Sequence, residues 1–122
     1  MPRAARVEGT LLCHVGLHRL AFEANEVASI AAPGDDWVSA RRAFRESAGA
    51  QRVLVTLTGE AVGVDGLEID AEALSVLPPS PVVAGASGGS LRGFVLTRGV
   101  LWPLVHLDGF ERYLRGLGPE AA

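Results

Sequence analysis

The chain contains no lysine and a single cysteine, Cys13, in 122 residues. One thiol excludes an internal disulfide framework, and within an apolar segment it reads as a small core residue. Its neighbour His14 points to the opposite face of the same strand, so the two cannot chelate one metal ion. Basic excess is missing too. All eleven positive charges are arginines set against fourteen acids, a net charge of −3, which argues against a nucleic-acid grip built on phosphate neutralisation. Arginine's planar fork instead suits bidentate pairing with carboxylates. Long apolar runs are absent: they stop well short of the roughly 20 residues a membrane span requires, and the first residues lack a signal peptide's apolar core. The expectation is a cytoplasmic protein with no direct membrane insertion. Hydrophobic residues make up 48% of the chain, which excludes disorder and allows one domain, 1–122, with a real core.

Along the chain, strand patterns dominate. Residues 1–8 read as a loose start, 10–17 as a strand, His18-Arg19 as a tight turn and 20–23 as a second strand. Ala24-Asn25-Glu26 makes a short helical turn into 27–31, and Pro33-Gly34-Asp35-Asp36 breaks the pattern. Trp37, Ala40, Phe44 and Ala48 then recur at helical spacing opposite Arg41, Arg42 and Arg45, predicting a helix over 36–48. Strands return at 52–58 and 61–64 around Gly59-Glu60, and 66–77 reads as two short strands. A proline cluster at 78–81 and a Gly-Ser loop at 85–89 precede the clearest unit: strands 91–97 and 100–107 around Arg98-Gly99. Asp108 with Glu111 forms a capping-box pattern that opens a closing helix, 108–116. The strand 100–107 is apolar on both faces: Trp102 and Leu104 point one way, Leu101, Val105 and Leu107 the other. One face can fill a small barrel and the other needs cover.

Two catalytic or ligand motifs carry less weight than their letters suggest. Gly85-Ala86-Ser87-Gly88-Gly89 satisfies G-x-S-x-G, but a nucleophile elbow needs a strand before it and a helix after it. Here proline precedes and a strand follows. Arg41-x-x-x-Arg45 resembles the start of a PilZ-type cyclic-dinucleotide site, yet no D/N-x-S-x-x-G follows. A ligand-binding barrel acting through Arg41, Arg42 and Arg45 is the alternative function, and no cofactor or metal is expected.

Several segments together resemble the CheW-like domain of bacterial chemosensory arrays. Leu11 to Gly16 followed by Leu20-Ala21-Phe22 and Asn25 to Ile30 is similar to the family's opening strands. Arg52 to Leu57 and Ala61-Val62-Gly63-Val64-Asp65-Gly66 resemble its second-half strands, and Pro78 to Pro81, Leu91 to Phe94 and Leu101 to Phe110 its closing loop, strand pair and end. The family's central block, with its arginine-glycine motif, is missing, and only residues 33–51 stand in its place. The resemblance implies a mainly β fold of small barrel lobes: a reduced first lobe, 1–50, and a complete five-stranded barrel, 51–117. Short helices fall at about 36–48 and 108–116, the first covering the reduced lobe through Trp37.

By resemblance the chain is a non-enzymatic adaptor that couples a chemoreceptor input to its pathway, and it is reminiscent of accessory coupling proteins of myxobacterial gliding systems. The receptor's helical hairpin tip would lie in a trough walled by Val27 and Ile30 on one side and Val62 and Val64 on the other. Arg92, Arg98 and Trp102 on the last hairpin would meet another CheW-like protein. Binding to the histidine kinase's regulatory domain is expected to be weak or absent, because the first lobe's block is missing.

Overall fold

The structure, a computed structural model, describes residues 5–79 and 90–117, with side chains from residue 9 onward. The first strand, β1, starts at Ala5 and runs to Val15, so the N-terminal segment is ordered earlier than its local pattern predicts. The reason lies far along the chain. β1 forms a long antiparallel ladder with β7, Gly66–Leu77, which is one continuous strand of 12 residues rather than two short ones. Backbone pairing over that length overrides weak local alternation. A bulge at Gly9, whose φ is 78°, lets the ladder bend.

β1 turns through Gly16-Leu17 into β2, His18–Glu23, two residues earlier than expected; the φ of 61° at Gly16 makes that turn possible. A 3₁₀ turn at Ala24–Glu26 leads into β3, Val27–Ala31. The helix expected over 36–48 does not form. Its place is taken by β4, Val38–Ser39, and a 3₁₀ turn, Ala40–Phe44, that ends at Arg45 in left-handed geometry with φ 58°. Ser39 explains the difference. Its hydroxyl accepts from the Arg41 amide at 3.3 Å and the Gly49 amide at 3.2 Å and donates to the Gly49 carbonyl at 3.0 Å. These local bonds pull the segment into a loop closed on Ser39, in competition with helical pairing.

β5, Arg52–Thr56, and β6, Ala61–Val64, follow, then β8, Leu91–Thr97, and β9, Val100–Val105. The β8–β9 hairpin turns at Arg98-Gly99 as expected, with φ 55° and 72°, the pair of positive angles a two-residue I′ turn needs. The closing helix, α1, spans Leu107–Gly116. Its N-cap is His106, not Asp108: the His106 Nδ1 accepts from the Gly109 amide at 3.3 Å. Asp108 instead lies in the first turn, where its charge faces the helix dipole. Glu111 is buried at 4% exposure and pairs with Arg115 one turn on, so it does not reach back as a capping-box acid.

The strands assemble into a closed barrel in the order β1-β2-β9-β8-β7 and a four-stranded sheet in the order β3-β5-β6-β4. The fold is mainly β, as the sequence predicts. The grouping of strands differs from a division at residue 50. β1 and β2 are barrel staves, and β5 and β6 belong to the sheet, because the whole segment 27–64 folds back on itself between β2 and β7.

Two cores result, and β1 feeds both. Leu12 points into the barrel with Ala21, Leu74, Val76, Val95, Trp102 and Leu104. Leu11, Cys13 and Val15, on the other face, join Leu20, Phe22, Leu54, Val62, Val64 and the α1 residues Leu107, Phe110 and Leu114 in a second core between barrel, sheet and helix. Each fully buried Leu, Val or Phe side chain there contributes roughly 1.5–3 kcal/mol. Among the described residues, no helix is long and apolar enough to cross a membrane.

Candidate functional site

The apolar face of β9 that outruns its cover opens a groove of about 530 Å³ on the outside of the barrel. Trp102 and Leu104 fill the barrel, whereas Leu101, Pro103 and Val105 line the open groove, Val105 also packing into the second core. The β1–β2 turn, β2 and α1 supply its flanks through Leu17, Leu20, Phe110 and Tyr113, and the 3₁₀ turn adds Ala43 and Phe44. Leu17 is 98% exposed, Leu101 50% and Tyr113 38%, a concentration of uncovered apolar surface that a single scattered side chain would not make.

Polar groups fix the groove's walls. His18 stacks flat on Phe44, with ring centroids 3.9 Å apart and planes within 5°, and its Nε2 lies 3.4 Å from Glu46. Arg19 lies over the Trp102 ring at 5.7 Å, closing the barrel end beside the groove. The wall formed by the 3₁₀ turn is held by an ion pair. Arg41 donates from Nε to Asp65 Oδ2 at 3.0 Å and from Nη2 to Oδ1 at 2.6 Å, and the Gly16 amide donates to the same carboxylate. The Arg41 guanidinium holds the Asp65 carboxyl below its ordinary value, and the Gly16 amide adds to the effect. At the start of α1, Glu26 accepts from the Leu107 amide at 3.5 Å and faces His106 Nε2 at 3.6 Å. Burial raises the Glu26 pKa, an effect partly offset by His106 and by that amide.

The trough expected between Val27–Ile30 and Val62–Val64 is not present, because β5 lies between β3 and β6 in one sheet. Val62 and Val64 are 0% and 1% exposed, and Val27 packs half-buried against the same core. Ile30 alone of the four is exposed, on the outer strand. Arg92 pairs with Glu23 and Arg98 with Glu68, and Trp102 sits inside the barrel, so these three do not form one surface. Arg41 is committed to Asp65, and Arg42 donates to the Leu114 carbonyl at 3.3 Å. Arg45 terminates the 3₁₀ turn, so the three arginines do not share a helical face. Ser87 and its glycines lie outside the described residues.

Leu17, Phe44, Leu101, Pro103 and Tyr113 are the residues that sequence patterning did not bring together. The available signal was the doubly apolar strand at 100–107, which demanded cover; Leu17 gave none, because it reads as the end of a strand and only the structure puts it at a turn. Among the described residues, no group of three or more His, Cys, Asp or Glu side chains could hold a metal ion. The chain matches no protein-family model and no curated protein sequence.

Proposed function

We propose that this chain is a non-enzymatic adaptor that docks an apolar helical segment in the groove beside β9, and that the segment is the hairpin tip of a bacterial chemoreceptor. The observation that carries the reading is the groove itself. Its walls are aromatic and aliphatic side chains on a strand, a turn and a helix, the kind of lining that takes the i, i+3, i+4 anchors of an amphipathic helix. The resemblance of the opening and closing segments to CheW-like domains supplies the identity of the partner. The docking residues are Leu17, Phe44, Leu101 and Tyr113 in place of the trough between β3 and β6.

The cyclic-dinucleotide reading gains no support from the arginines on which it depends, since Arg41 and Arg42 are already engaged. The accessory role, with weak or absent kinase binding and a second partner among CheW-like proteins, follows from the short segment between Pro33 and Gln51.

The test is a titration of a soluble receptor-tip fragment against the native chain and a Leu101→Asp variant, whose substitution lies at a half-exposed position. A charge without a partner in a closed apolar contact costs several kcal/mol, so binding should fall by about 100-fold or more with the fold unchanged. Undiminished binding by the folded variant overturns the groove. Micromolar binding of the kinase's regulatory domain to this chain alone overturns the accessory role.

A further inference from the structure

The groove beside β9 differs from the rest of the chain in charge. Fourteen acids stand against eleven arginines overall, yet among the described residues no Asp or Glu lines the groove, while His18 and Arg19 do. His18 is already engaged, its Nε2 lying 3.4 Å from Glu46. The Arg19 side chain is exposed, and among the described residues no carboxylate pairs with it, whereas Arg41, Arg92, Arg98 and Arg115 each hold one. Its guanidinium carbon sits 5.7 Å from the centre of the Trp102 ring, and its neighbour across the β1–β2 ladder is His14, which also contacts that ring. An indole and an imidazole therefore surround Arg19, and neither neutralises it. A guanidinium held over an aromatic ring keeps N–H donors free for a carboxylate.

We propose that Arg19 selects what docks in the groove: the occupant is an acidic amphipathic helix, with a Glu or Asp flanking its apolar anchors and paired to the Arg19 guanidinium. The inference rests on the helix-docking reading of the groove and adds to it the charge of the partner. A segment that covers Leu17 and Leu101 takes water from Arg19 as well, and a charge that loses water without gaining a partner is penalised. A carboxylate removes that penalty and fixes the register of the helix, because the planar guanidinium donates to both of its oxygens. A lysine at the same place faces Arg19 across a closed contact, so a basic helix is rejected. The field of the whole chain, at net charge −3, works in the other direction and favours basic partners. Preference for an acidic helix is thus a signature of the groove itself.

Two amphipathic helical peptides with the same apolar face test this, one carrying Glu and the other Lys at the flanking positions, each titrated into the full chain and followed by indole fluorescence. The native chain should bind the Glu peptide about 10-fold tighter than the Lys peptide at low salt, and the gap should narrow as salt rises. Arg19→Gln should level the two affinities and Arg19→Glu should invert their order, with the fold intact because the position is exposed. Leu101→Asp should weaken both peptides. Equal binding of the two peptides by the native chain, lost for both in Leu101→Asp, overturns the charge selection and leaves helix docking in the groove standing. Binding of neither peptide overturns both readings. A preference for the Glu peptide that survives in Arg19→Gln takes the role away from Arg19 and overturns the proposal equally.

Discussion

The indole of Trp37 occupies the space that a side chain on Gly63 would need. A Cβ at Gly63 would lie 2.7 Å from Trp37 Cε3 and 2.6 Å from the Ala50 methyl, while Trp37 Nε1 donates to the Gly34 carbonyl at 3.0 Å. The tryptophan therefore covers the sheet from a loop that its own backbone bond holds in place. Gly63→Ala should cost about 1–3 kcal/mol, as overpacking does elsewhere. Trp37→Ala should cost about 2 kcal/mol, less than the ~3–5 kcal/mol of a fully buried tryptophan, since this one is half-buried. In the double variant the Gly63 penalty should shrink and not vanish, because Ala50 remains. Urea unfolding of the four proteins measures the coupling, and strict additivity would show that the two residues do not touch.

Asp65 joins three segments, the β1–β2 turn, the 3₁₀ turn and the β6–β7 junction, and its pKa is depressed by the Arg41 hydrogen bonds. A carboxylate whose folded pKa is lowered contributes stability that is fully present above its unfolded value near 3.8 and is lost as pH falls through the folded one. Asp65→Asn should cost roughly 1 kcal/mol at neutral pH, a modest figure because solvent reaches the pair. The native chain should lose its advantage over the variant below about pH 4. Urea midpoints of both proteins across that range decide it, and parallel curves would remove Asp65 from the acid response.

Burial pushes the Cys13 thiol from its ordinary 9.0 up to about 12. The sign is opposite to that of Asp65: the neutral thiol is the folded form, so its contribution is complete below pH 9 and is lost as pH rises toward 12. Relative to Cys13→Ala, the native chain should lose about 1.4 kcal/mol per pH unit across that window. At neutral pH the thiol should resist alkylation until the protein unfolds. Prompt labelling of the folded chain would place Cys13 at a surface.

The β8–β9 hairpin was legible because its turn chemistry is local: Arg98-Gly99 needs only two positive φ angles and two flanking apolar strands. The doubly apolar strand likewise announced both a barrel interior and a face in need of cover, and the second became the groove. Residues 36–48 misled for an equally local reason. Trp37, Ala40 and Phe44 have helical spacing, but Ser39 bonds to Gly49 and bends the segment away from the helix, and no periodicity registers a hydroxyl's choice of partner. The strand grouping was beyond local reading. Nothing near Leu11 indicates that its ladder partner is Ile69, and without that pairing β1 and β2 fall naturally into a lobe with β3. The groove residues shared the same fate, since Leu17, Phe44, Leu101 and Tyr113 meet only after the barrel closes.

The placement of residues 27–64 between β2 and β7 has a consequence for how the chain is made. β1 and β2 leave the ribosome well before β7, β8 and β9, the other three staves of their barrel. The inserted sheet is built wholly from the intervening segment and can pair its own strands meanwhile, whereas β1, apolar on both faces, waits with Leu11, Leu12, Cys13 and Val15 unburied. Long-range strand pairing of this kind is slow, and the waiting strand is the element most exposed to misassociation. The nascent chain should therefore depend on chaperone protection of its first strand until the last hairpin emerges.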